Sequence, residues 1–136
     1  MKLIVCLDDR NGMTFGGRRQ SRDAVVIEKI IAMATNGKLW MNGYSAKIFA
    51  EFSDKIQIDD AFLDNADTDD FCFVENLNVA QYSNQFNQII VFKWNRHYPA
   101  DRYLDIDLNT WKMDDSKEFS GNSHDKITME IYVNEG

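Results

Sequence analysis

Four arginines, Arg10, Arg18, Arg19 and Arg22, share one stretch with Gly12, Gly16 and Gly17, and that stretch leads into a helix start. Guanidinium forks match phosphate or carboxylate oxygens, glycines let a backbone approach a ligand closely, and a helix N-terminus presents free N–H groups. These residue types at this spacing predict an anion site. The competing arrangement is a solvated loop whose arginines pair with Asp8, Asp9 and Asp23. Asp23 stands where the loop meets the helix. A carboxylate there can simply cap the helix, or it can face a cleft and hold or protonate a nitrogen heterocycle, provided burial raises its pKa.

Other chemistry-bearing residues point away from metals and triads. The two histidines, His97 and His124, are far apart and form no HxH or HxxxH pair, which disfavours histidine-cluster metal hydrolases. Asp59, Asp60, Asp64, Asp67, Asp69 and Asp70 form an acidic run. Counted from Asp67, however, the glycine and glutamate positions of a calcium loop hold Cys72 and Asn78, so the run reads as solvated surface. Ser123-His124-Asp125 contains triad residue types, but sequence neighbours in a turn or strand are expected to point apart, so the segment is assigned to a turn. Trp40, Trp94 and Trp111 sit in strand-like contexts and read as core.

The elements that must position these groups follow from apolar periodicity. Leu3 to Leu7 is a short, branched apolar run ending in Asp-Asp-Arg-Asn-Gly, the pattern of a central strand running into a turn, with the loop extending from Asp8 to Asp23. Residues 24–35 place Ile27, Ile30, Ile31 and Ala34 at helical spacing, with Asn36-Gly37 as a stop. Lys38 to Asn42 reads as a second buried strand, and the stretch from Tyr44 to Phe52 as a short helix. Two buried strands joined by a helix should be parallel with a right-handed crossover, which sets loops and helix starts along one edge of the sheet, where ligand sites gather.

Beyond Ser53 the chain is acidic and irregular. A short strand at Ile56 to Ile58 and a helical turn at Ala61 to Leu63 precede a buried strand from Phe71 to Glu75; Asn76 to Gln88 is mostly amide and hydroxyl side chains and reads as polar loop or surface helix. Residues 89–94 are another strand. Two alternating stretches follow, Leu104/Ile106/Leu108 and Ile127/Met129/Ile131/Val133. They predict antiparallel strands with one wet face, Gly121-Asn122 turning the chain between them.

Composition agrees with one α/β domain over 1–136: 44% hydrophobic and 27% charged residues in a chain of 136. The net charge of -7 opposes general adhesion to nucleic acid or anionic membrane. Cys6 and Cys72 lie in apolar runs, where free thiols act as small hydrophobes, so no disulfide is expected. No run approaches the ~20 apolar residues that cross a bilayer, and the start lacks the apolar core of a signal peptide, so the expected address is cytoplasmic.

Three segments together resemble the dihydrofolate reductase family: LIVCLDDRNGM at the first strand and loop, KLWMNGYSAKIF at the second strand and the helix that meets the cofactor, and YLDIDLNTWKM with KITMEIYV at the C-terminal strands. The resemblance implies an eight-stranded mixed sheet, NADPH across the edge just described, and a pterin in the cleft beside the first helix. Asp23 then corresponds to the family's substrate-binding carboxylate, although Arg19-Gln20-Ser21 replaces the Leu-Pro-Trp that normally precedes it. The phosphate-holding Gly-Arg-x-Thr is Asn42-Gly43-Tyr44-Ser45, and the glycine pair beside the pyrophosphate is Glu75-Asn76. The middle, Ser53 to Gln88, looks shortened. Similar short chains have been called ribonuclease Z, but the HxHxDH cluster of that metal-dependent enzyme has no counterpart in these residues.

These residues lead to the expectation of a divergent dihydrofolate-reductase-like protein in which a ligand cleft survives and reductase activity is lost or altered. One alternative is an NADPH-dependent pterin-type reductase in which Arg18, Arg19 and Arg22 take over the cofactor phosphates. Another is a protein-interaction or regulatory module using the acidic middle as its surface. A small-molecule ligand is the expected partner.

Overall fold

Leu3, Ile4, Val5 and Leu7 are all excluded from solvent in the computed structural model, which describes residues 1–134. The expected span of 1–136 thus ends in two residues outside those described. The burial follows from position: β1 (Lys2–Leu7) lies inside the sheet with apolar matter on both faces. Because side chains alternate across a strand, Leu3, Val5 and Leu7 enter one core cluster and Ile4 the other.

The stretch after β1 is more ordered than the expected loop. It forms a hairpin of β2 (Gly12–Phe15) and β3 (Arg18–Arg19), turned by Gly16 and Gly17 at φ of 60° and 77°. Positive φ at both central residues is the geometry of a tight two-residue hairpin turn, which glycines adopt without steric cost. The helix α1 (Ala24–Met33) follows, capped by Asp23 and burying Val26, Ile27 and Ile30. It ends before Asn36-Gly37, as expected. Gly37 is required there because an added Cβ would collide with the Asp69 carbonyl.

β4 (Leu39–Met41) leads through Asn42 into the single turn α2 (Gly43–Ala46). The apolar spacing from Tyr44 to Phe52 predicts one helix, but beyond α2 the chain tightens into 3-10 geometry over Lys47–Lys55, with breaks at Phe49 and Phe52. Phe49 is buried against Phe73, ring centroids 5.3 Å apart in an edge-on contact. β5 (Ile56–Ile58) matches the expected strand, and the helical turn falls at α3 (Phe62–Asn65). β6 (Phe71–Phe73) stops short of Glu75, a 3-10 turn occupies Ala80–Gln85, and β7 (Gln88–Lys93) runs beside β1.

The acidic run is not all solvated surface. Asp70 is buried; it accepts the backbone N–H groups of Lys38 and Asp67 and the Trp40 indole N–H. Those donors outweigh the burial that would raise its pKa, and hold it below the usual carboxylate value.

After β7 the expected alternating strand at Leu104 to Leu108 is not one. Only β8 (Arg102–Tyr103) pairs, with β2, and a 3-10 turn covers Leu108–Thr110. Leu104 and Ile106 are buried nonetheless, so their alternation with Asp105 and Asp107 records an extended segment packed on the core rather than a ladder. The sheet is completed by β9 (Lys112–Phe119), largely exposed and without apolar alternation, and β10 (Ile127–Val133).

The main sheet has seven strands in the order β5-β4-β6-β1-β7-β10-β9, not the eight implied by the resemblance, and β2, β3 and β8 form a small second sheet. β5, β4, β6, β1 and β7 are parallel neighbours, whereas β10 is antiparallel to β7 and to β9. Strand order reverses around β1, since the chain crosses to β4 and returns to β7 on the opposite side. In such sheets the crevice lies outside the carboxyl ends of the strands at that reversal. Asp8, Asn42 and Glu75 each stand just beyond a parallel strand, and Asp23 precedes α1.

Candidate functional site

Beyond β6 the chain carries Glu75 to the strand edge, where it meets α2 and the small hairpin. The Arg19 guanidinium donates to both Glu75 oxygens, Nε to Oε2 at 2.8 Å and Nη2 to Oε1 at 3.0 Å. The Ser45 hydroxyl donates to the same Oε1 at 2.8 Å. Tyr44 closes the group from the other side: its phenol oxygen accepts the Arg19 backbone N–H, its carbonyl accepts Arg19 Nη2, and its ring lies 4.3 Å beneath the guanidinium carbon. Asn42 caps Ser45 N–H through Oδ1 and donates to Asn76 Oδ1 at 2.9 Å. Burial works against the Arg19 charge, but the hydrogen bonds and charge of Glu75 outweigh it and raise the guanidinium pKa. Arg19, Tyr44, Ser45 and Glu75, expected as ligand-binding residues, are therefore brought together and satisfy one another, and Asn76 joins them through Asn42.

The remaining arginines do not converge on them. Arg18 is exposed on the hairpin, and Arg10 lines a separate depression with Lys93 and Tyr103. Arg22 lines a groove of about 170 Å³ between α1 and the 3-10 stretch, with Ile27, Glu28, Lys47, Ile48 and Phe52. The expected joint anion site of the loop is thus dispersed: β3 sends the neighbouring Arg18 and Arg19 to opposite faces, while Arg10 and Arg22 lie outside the hairpin strands. An added Cβ at Gly43 would meet nothing within 4 Å, so that glycine makes no close approach.

Asp23 occupies a second polar cluster. Its side chain is 0% exposed. Oδ1 accepts the N–H of Val25, and Oδ2 accepts the Ser123 N–H at 2.6 Å and the Ser123 hydroxyl at 3.0 Å. Burial alone would raise the pKa; the backbone N–H groups of Asn122 and Ser123, the Ser123 hydroxyl and the Val25 N–H outweigh it and hold the group at about 2. That is opposite to the direction acid chemistry at this carboxylate requires. The turn at residues 121–124 covers it so closely that a Cβ at Gly121 would lie 2.5 Å from Asp23 Oδ2.

His124 sits in the same cluster, buried, stacked on Trp94 with centroids 4.7 Å apart and with Nε2 2.8 Å from the Tyr98 hydroxyl. Contrary to the expectation that neighbours point apart, Ser123 and His124 both turn inward to Asp23. Periodicity offered no sign of this; the one available signal was Gly121-Asn122, which marks the reversal. Between the two clusters lies Cys6, whose thiol pKa burial pushes far up, the charges of Glu75 and Asp23 adding to it, so it stays a protonated thiol. Both cysteines are free.

Among the described residues, no group of three or more His, Cys, Asp or Glu side chains is placed to hold a metal ion, and no helix is long and apolar enough to cross a membrane.

The strand order, the single reversal at β1 and the antiparallel C-terminal pair define a dihydrofolate-reductase-like fold. A dihydrofolate reductase from Enterococcus faecalis, solved with NADP(H) and RAB-propyl, superposes with a TM-score of 0.70, covering 99% of this chain and 96% of that one at 7% identity. No family model matches the sequence, and no curated protein matches it. At the strand edge the Arg19 guanidinium is committed to the Glu75 carboxylate, so this cluster pairs its arginine with an anion, an arrangement that suits dinucleotide phosphates poorly.

Proposed function

We propose that this protein is a dihydrofolate-reductase-like binding protein that has given up NADPH-dependent reduction and takes a small molecule in the groove between α1 and the Lys47–Lys55 stretch. The observation that carries this reading is the closed group in which Arg19 holds Glu75 and Tyr44 while Ser45 donates to Glu75. A phosphate brought within 4 Å of an unpaired Glu75 meets repulsion of about 4 kcal/mol per unit charge at an effective dielectric of 20. The groove is lined by the apolar Ile27, Ile48 and Phe52 together with the charged Arg22, Lys47, Glu28 and Glu51. At about 170 Å³ it is smaller than the ~300 Å³ typical of drug-sized ligands, which favours a compact ligand.

The alternative reductase, with loop arginines on the cofactor, requires Arg19 to leave Glu75 and the exposed Arg18 to swing inward. An acidic interaction surface is supported less, since Asp59, Asp64 and Asp70 already hold local donors. The net charge of -7 speaks against general nucleic-acid binding.

Isothermal titration with NADPH, NADH, dihydrofolate and nucleotides tests the reading. The expected result is no NADPH heat with wild type and a measurable gain with Glu75→Gln; tight NADPH binding with turnover by wild type would overturn it.

A further inference from the structure

The cluster around Asp23 also holds a serine hydroxyl against an imidazole. The Ser123 hydroxyl is at an exposed residue, yet its oxygen lies 2.8 Å from His124 Nδ1, 2.8 Å from the Arg22 carbonyl and 3.0 Å from Asp23 Oδ2. The imidazole is held on its other side by the Tyr98 hydroxyl and fixed in plane by Trp94. A hydroxyl within hydrogen-bond reach of a base, with the base oriented by a third group, is the geometry of an activated nucleophile.

We propose that Ser123 is a nucleophilic serine, with His124 as its general base, that takes up the acyl group of an activated ester. Two titratable acceptors are available for the hydroxyl proton. Asp23, which holds backbone N–H groups and competes through Oδ2 for the same hydroxyl proton, has a pKa of about 2 and is the weaker base. His124 has its pKa lowered by burial and by Arg96, opposed by Asp23, and is therefore neutral near pH 7; its Nδ1 accepts in the tautomer whose Nε2–H donates to the Tyr98 oxygen. The imidazolium formed on proton transfer faces Asp23 Oδ2 at 3.8 Å, which stabilises it.

In the step itself, Ser123 Oγ bonds to the acyl carbon, the bond from that carbon to the leaving oxygen breaks, and the hydroxyl proton passes to Nδ1 and then to solvent. The leaving group departs as its anion. The Ser123 N–H is given to Asp23 and the Gly121 N–H to the His124 carbonyl, so neither is free to stabilise a tetrahedral oxyanion. This restricts the chemistry to esters with good leaving groups and makes the acyl-serine a modification that accumulates.

The test is incubation of the whole protein with p-nitrophenyl acetate, following p-nitrophenolate release and locating the adduct by peptide mass mapping. One acetyl group on Ser123 is expected, absent in Ser123→Ala and formed roughly 100-fold more slowly in His124→Gln, the scale of general-base assistance. The wild-type rate should rise with pH, with a midpoint below the ordinary 6.5 of histidine. Acetylation confined to lysines or the N-terminal amine, an unchanged rate in a folded His124→Gln, or a flat wild-type profile between about pH 5 and pH 8 would each overturn the proposal. The mapping and the profile decide even if His124→Gln fails to fold.

Discussion

Arg19 and Glu75, 56 positions apart, grip each other through two parallel N–H to O contacts with side chains only 20% and 8% exposed. A planar fork on a carboxylate is among the stronger polar contacts, and partial burial spares it much of the screening that weakens surface pairs. The pair ties the β2–β3 hairpin to the end of β6.

Arg19→Ala should destabilise the protein by about 2 kcal/mol, the scale of hydrogen bonds to charged groups, because Glu75 would keep only Ser45 as partner. Urea denaturation of Arg19→Ala, Glu75→Ala and the double variant measures the coupling. An interaction energy below about 0.5 kcal/mol would show that the two side chains do not depend on each other.

Stability should fall in acid through Asp23. Its folded pKa of about 2 is depressed below the 3.8 of an ordinary aspartate, so its contribution is fully present above that ordinary value and is lost as pH falls through the folded one. The amount is about 2 kcal/mol. His124 adds a loss at higher pH: its folded pKa is also depressed, so the unfolded chain binds the proton more readily and stability declines as pH drops below 6.5. Unfolding of wild type and Asp23→Asn from about pH 7 to pH 2 separates the two, since Asp23→Asn should keep the upper phase and lose only Asp23's share of the acid one, Asp8 and Asp70 keeping theirs.

Gly121→Ala should cost roughly 1–3 kcal/mol by overpacking. The new methyl would press on Asp23 Oδ2 at 2.5 Å and Ile127 Cδ1 at 2.6 Å, and the turn can yield only by lifting Ser123 from the carboxylate. A thermal melt equal to wild type would show that the turn is not seated as described.

Phe49→Ala should cost roughly 3–5 kcal/mol, as large buried aromatics do. Phe49 is fully buried and carries the contact that holds the irregular 3-10 stretch against Phe73. Loss of less than 1 kcal/mol in urea would mean that this stretch packs loosely.

The sequence by itself determined the strands whose side chains are buried. β1, β4, β6, β7 and β10 were legible from apolar runs or alternation, and α1 from helical spacing, because burial on one or two faces writes a period into the chain. β9 was not legible: its residues KMDDSKEF are wet on both faces, so backbone pairing with β10 holds the strand while no side-chain pattern announces it. Leu104 and Ile106 show the converse, an alternation produced by packing without a ladder. At the site, the sequence offered Asp23 as either a helix cap or a functional carboxylate and Arg19 as one of the loop arginines, while Tyr44, Ser45 and Glu75 were singled out only by the family resemblance. Only the tertiary structure decided what each one faces. Arg19 reaches Glu75 because parallel pairing of β6 beside β1 sets both at one edge, and Ser123 reaches Asp23 across 100 positions because the β9–β10 reversal lands on the start of α1. Such pairings depend on register and crossover geometry, which no local period encodes.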